Sequence, residues 1–128
     1  MTKQFRTAQE ACDYSVQKLV EQGKRCMNDG TCAYGDGQGN HCAIGWLLDP
    51  DNKELMNYDE SVQDVVEDFP DDVPKVIKDN IDLFSELQAF HDQPDSLIRE
   101  YYRNRLRDNY KIDTSAPHWQ QWVDMGAE

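Results

Sequence analysis

From Ala8 the chain places its apolar residues at a helical period: Ala8, Ala11, Cys12, Ser15, Val16, Leu19 and Val20 share one face. Thr7 to Glu10 (TAQE) has the form of a capping box and Gly23 supplies a C-terminal stop, so a helix is predicted over 7–23. The period is then lost. NDG at 28–30 is a turn signal, and TCAY and NHCA bracket a glycine-rich connection, which predicts a short β-hairpin near 31–43. AIGWLL from Ala43 reads as a brief buried helix or strand end before DPDN breaks it, and 49–59 reads as loop.

Helical spacing returns with Val62, Val65, Val66 and Phe69, giving a helix over 60–69 with Asp59 as cap. The broadest stripe follows. Val73, Val76, Ile77, Ile81, Phe84, Leu87, Phe90 and His91 share a face of a central helix over 72–92, capped by Asp72, with Pro74 in its first turn. A further helix over 96–109 is expected to turn Leu97, Ile98, Tyr101, Tyr102 and Leu106 inward, with Arg99, Arg103 and Arg107 along one side. The tail, 114–128, opens on a Ser/Thr cap and is expected to dock through Trp119 and Trp122. The fold class expected is mainly α (α+β): four to five helices and one short hairpin in a single domain spanning 1–128.

Charge changes this picture more than composition does. Residues 49–95 carry three basic and fifteen acidic groups, while the flanking segments are each balanced, so the whole net charge of −12 lies in the middle of the chain. Such a segment repels phosphate backbones and attracts basic surfaces, which argues against direct nucleic-acid binding. Asp59, Glu60, Asp64, Glu67, Asp68, Asp71 and Asp72 are its densest run and the candidate partner-binding surface. No apolar run reaches the roughly 20 residues that span a bilayer, and MTKQFRTAQEACDY lacks the apolar core of a secretory signal. A cytoplasmic protein with reduced thiols and no membrane partner is expected.

The candidate chemistry is sparse. Cys26, Cys32, His41 and Cys42 provide four zinc-competent side chains without paired C-x2-C knuckles, so structural zinc is the weaker alternative and no cofactor is expected. Cys32 and Cys42 could face one another across the hairpin, as packed thiols or, outside a reducing compartment, as a disulfide. GDGQG at 35–39 has neither phosphate-loop spacing nor a following lysine, and reads as a turn. DPDNKELMNYDE matches a calcium loop at its first, third and twelfth positions but has Lys53 and Glu54 where a ligand and a glycine belong. His91 ends the central helix on its apolar face and is expected to make structural hydrogen bonds. Arg99, Arg103 and Arg107 are expected to make ion pairs. No nucleophile, base and anion hole stand together, which points away from an enzyme.

CAYGDGQGNHCAIGWLLDPD, followed by LFSELQAFHD, resembles a group of small uncharacterised bacteriophage and prophage proteins. In these an N-terminal helix leads to a C-x-Y, glycine, C-A-[IV]-G-x-L-[IL] segment and an L-Q-x-x-H-D helix end. The resemblance covers about residues 8–92, and Cys32, Tyr34, Cys42, Gly45, Gln88, His91 and Asp92 carry it. It implies an accessory protein of a phage that binds, and in many such proteins inhibits, a host protein such as a nucleic-acid-binding or defence component by charge mimicry. The expectation is therefore an acidic binder of a basic host surface, with a homodimer left open. The alternative is a metal- or small-ligand-binding protein using the Cys32, Cys42 and His91 region.

Overall fold

A computed structural model describes residues 4–28, 31–32, 34–35, 39–58 and 61–126, with the backbone alone at 27–28 and 31–32. Among them the chain is mainly helical: α1 (Ala8–Gln22), α2 (Lys53–Met56), α3 (Val62–Asp68), α4 (Lys75–Lys78), α5 (Ile81–Asp92), α6 (Ser96–Tyr110) and α7 (Pro117–Asp124), with a 3-10 turn at Gly45–Leu47.

α1 forms as its pattern requires. Thr7 Oγ1 accepts the Glu10 N–H at 3.1 Å, and Gly23, at φ 83°, takes the left-handed turn that ends the helix. Its buried stripe is Ala11, Cys12, Ser15, Val16 and Leu19, and Ser15 is satisfied by donating to Ala43 O at 2.7 Å. α5 packs against α6 and α3, α7 closes over α1 and α6, and one continuous apolar cluster joins them, with Trp119, Trp122, Phe84 and Phe90 as its largest buried side chains.

Four expectations are corrected. The hairpin near 31–43 is not seen: the only strand pairing among the described residues is a two-residue antiparallel contact, Met27 opposite Cys32 and Asn28 opposite Thr31. Cys32 therefore has Met27, not Cys42, as its cross-strand neighbour. The expected central helix is two helices. Asp79 and Asn80 break it, because Asn80 Nδ2 donates to Val76 O at 2.8 Å and competes with the backbone ladder there. The apolar period survives the break because Ile77 of α4 and Leu83 and Phe84 of α5 enter the same core.

The segment expected to be loop contains α2, nucleated by Asn52 Oδ1 accepting the Leu55 N–H at 3.2 Å and held by burial of Leu55 and Met56. Finally, α6 is rotated relative to expectation. Leu97, Ile98 and Tyr101 are exposed, at 76%, 42% and 55%, while Arg99 is buried. Arg99 donates from Nε to Gln93 O at 2.7 Å and from a terminal nitrogen to Trp122 O at 2.6 Å, and its guanidinium lies 4.1 Å from the Trp122 ring centre. Two carbonyls facing inward need donors that leucine lacks, so the arginine takes the inner position.

Cap assignments shift by a residue or two. Ser61, not Asp59, caps α3 by accepting the Asp64 N–H at 3.2 Å, and Pro74, not Asp72, stands at the N-cap of α4. α7 begins with Pro117 behind Ala116 and has no side-chain cap, since Ser115 is committed to Asp113.

Candidate functional site

Two features stand where the sequence placed candidate residues: a buried polar clasp around His91, and the acidic surface of α3 and the turn that follows it.

The clasp begins with the fully buried imidazole of His91. Its Nε2 accepts the Cys26 N–H at 3.1 Å, so the ring proton sits on Nδ1, which donates to Asp92 Oδ1 at 2.8 Å. Gln88, one turn earlier on α5, accepts the Ile44 N–H on Oε1 at 3.2 Å and reaches Asp92 Oδ1 with Nε2 at 3.4 Å. Arg25 donates to the Asp92 carbonyl at 2.9 Å, and Trp122 of α7 stacks on the imidazole with ring planes 7° apart. The L-Q-x-x-H-D end of α5 thus fastens the segment 26–45 to the helical core by supplying partners for backbone groups that no strand pairs.

The cysteine segment complements this. Cys42 is buried, its Sγ accepts the Gly45 N–H at 3.3 Å, and burial pushes its thiol far above the ordinary thiol range. Burial does the same to the Tyr34 phenol and the Cys12 thiol. Gly45 is required by contact: a β-carbon there would lie 2.0 Å from the Tyr34 carbonyl oxygen. His41 donates from Nδ1 to that same oxygen at 3.1 Å, and its ring meets Trp46 edge-on at 4.6 Å. Gln22 completes the fastening, accepting His41 N–H and Trp46 Nε1–H and donating to the His41 carbonyl at 3.1 Å.

These thiols are protonated, buried and poor nucleophiles. Of the residues in the ligand-binding alternative, His91 has both nitrogens engaged and is fully buried, Cys42 is fully buried, and the side chain of Cys32 is not described. Among the described residues no group of three or more His, Cys, Asp or Glu side chains is arranged to hold a metal; the side chain of Cys32 lies outside that set.

The acidic surface is built differently. α3 buries Val62 and Val65 and packs Val66 and Phe69 against the core, which turns Glu67 and Asp68 outward. Asp64 accepts the Ser61 hydroxyl at 2.9 Å, Asp68 accepts the Tyr58 hydroxyl, and Glu67 accepts from Gln63 at 3.3 Å. Asp71 is exposed and Asp72 partly so in the turn after Pro70. None of these five carboxylates makes an ion pair among the described residues, and Asp59 and Glu60 lie outside them. The ion pairs that do form lie elsewhere. Arg105 meets Glu86 at 2.6 Å, Arg103 meets Glu100 at 3.2 Å and Arg107 meets Asp108 at 2.9 Å, while buried Arg99 pairs with carbonyls instead.

Gln22 and Arg25 were missed as site residues. Each is a polar residue in an otherwise unremarked stretch, and only the fold brings it to the cysteine segment. No described helix is long and apolar enough to cross a membrane. Compared with known proteins, the chain matches no family model, no curated protein and no solved structure.

Proposed function

We propose that the chain is a non-enzymatic binding protein whose acidic surface, Asp64, Glu67, Asp68, Asp71 and Asp72 together with the adjoining Asp59 and Glu60, engages a basic surface of a protein partner. One observation carries the reading. Between Lys53 and Lys75 the chain has eight acidic residues and no lysine or arginine, and the five described carboxylates from 64 to 72 make no internal ion pair. Unpaired carboxylates held on one short helix and its following turn steer a cationic surface toward them and give salt-sensitive association.

The resemblance to small phage proteins supports a host protein as the partner and inhibition by charge mimicry of nucleic acid as the outcome, in the cytoplasm of the infected cell. The buried clasp serves this reading as scaffold: it fixes the cysteine segment on α5, against which α3 also packs. The test is affinity capture from bacterial lysate at low salt, run in parallel with a variant in which the five carboxylates are changed to Asn or Gln. A protein retained by the native chain and lost by the variant is the expected result. Equal retention by both removes the acidic surface from the account.

A further inference from the structure

A cavity of about 390 Å³ opens beside the cysteine segment, lined by Gly35, Gly39, His41, Pro50, Lys53, Met56 and Asn57. Its walls come from two parts of the chain held against each other. Gly35 N–H donates to Met56 O at 2.9 Å and Tyr34 N–H to Tyr58 O at 3.4 Å, which pins Tyr34 and Gly35 along the end of α2. Gly35 is needed for this approach, since a β-carbon there would stand 3.0 Å from Met56 Sδ and 3.3 Å from His41 Nδ1.

The lining has two characters. Pro50 and Met56 form an apolar wall, while Lys53 and Asn57 bring nitrogen donors. Lys53 is the only lysine or arginine between Arg25 and Lys75, a stretch holding twelve acidic residues. The single lysine or arginine of residues 26–74 therefore stands at this cavity. Lys53 makes no ion pair among the described residues, and it is exposed at the first position of α2. The His41 ring is held by Tyr34 O on Nδ1 and by the Trp46 ring on its edge, so this part of the wall is fixed before a ligand arrives.

We infer that this cavity is a binding site for a small organic anion, with a phosphate or carboxylate head at Lys53 and Asn57 and an apolar or aromatic body against Met56 and Pro50. Its volume falls in the range of small-molecule sites, at the low end suited to a ligand of mononucleotide size. The glycines here shape the wall and do not form a phosphate loop, whose spacing is absent. The inference is independent of the acidic surface and stands or falls without it.

The test is titration of the full chain with adenosine monophosphate, indole-3-carboxylate, adenosine and inorganic phosphate, followed by isotope-edited NMR, on the native chain, Lys53→Glu and Lys24→Glu. Lys53→Glu is tolerated by the fold because an acid is favourable in the first turn of α2. Lys24→Glu makes the same change of net charge away from the cavity.

Saturable binding of either organic anion is expected, with shifts at Gly35, Met56 and Asn57. Adenosine and inorganic phosphate should bind more weakly than the anion that joins both parts. Lys53→Glu should weaken binding roughly fivefold or more and Lys24→Glu should leave it within about twofold. Absence of saturable binding by both organic anions overturns the proposal, as does equal weakening by both variants or shifts that map elsewhere.

Discussion

Gly45 shows how much a single position can carry. The Tyr34 carbonyl oxygen lies where its β-carbon would be, and that same oxygen accepts from His41 Nδ1. Gly45→Ala must therefore push the backbone of the cysteine segment away from its partners. We expect a loss of about 3 kcal/mol in urea unfolding, with Gly39→Ala, where nothing lies within 4 Å, as a milder comparison that tests conformational strain alone. Equal losses for the two would remove the close contact as the cause.

Buried thiols offer a second residue-scale prediction. The Cys12 and Cys42 thiols ionise in the folded protein only far above their ordinary value, so the folded state holds protons that the unfolded chain releases above about pH 9. Stability is then fully present below that pH and falls as pH rises, by about 1.4 kcal/mol per pH unit for each thiol. Urea midpoints measured from pH 8 to pH 10.5 should fall steadily, and Cys12→Ala should make the decline shallower; an unchanged slope would contradict this. Cys12 was legible as a packed residue from its apolar stripe, whereas Cys42 was expected to meet Cys32 across a hairpin that is not seen. The proton position on His91 was not legible, because it depends on a backbone N–H 65 residues away.

At the scale of elements, α7 and α6 are joined through Arg99. Its two bonds to Gln93 O and Trp122 O and its stack on Trp122 tie the last helix to the end of α5. Arg99→Met keeps the volume and leaves both carbonyls without their donor, at a cost of about 2 kcal/mol. Hydrogen exchange should then quicken first in 117–124. Protection lost evenly through the protein would argue that α7 has no separate anchorage. This is also where the sequence misled most. Leu97, Ile98, Tyr101 and Leu106 suggest one inward face, yet the helix turns Arg99 inward, because an apolar stripe reports average burial and says nothing of carbonyls awaiting a donor. The long stripe from Val73 to His91 was read correctly as core, and its break at Asp79–Asn80 was hidden because both halves face the same interior. α1 was legible to the residue at both caps, since its signals are local.

For the molecule as a whole, the charge map in the sequence survives folding. Among the described residues the carboxylates of 64–72 do not fold back onto the arginines of α6, which pair with Glu100 and Asp108 of the same helix, with Glu86, or with carbonyls. Folding thus keeps intact an electrostatic asymmetry that composition alone could have concealed. The cavity at Lys53 was not legible, because its walls join residues 35 and 56 across a turn that no periodicity announces.

The central claim is that this acidic surface recognises a basic protein surface, and the most direct measurement is the affinity of the captured partner for the native chain and for the five-carboxylate variant at low and physiological salt. The account predicts that the native affinity falls as salt rises, that neutralising Asp64, Glu67, Asp68, Asp71 and Asp72 weakens binding at low salt by roughly tenfold or more, and that the variant loses most of the salt dependence. Equal affinities and equal salt slopes for the two chains would contradict it.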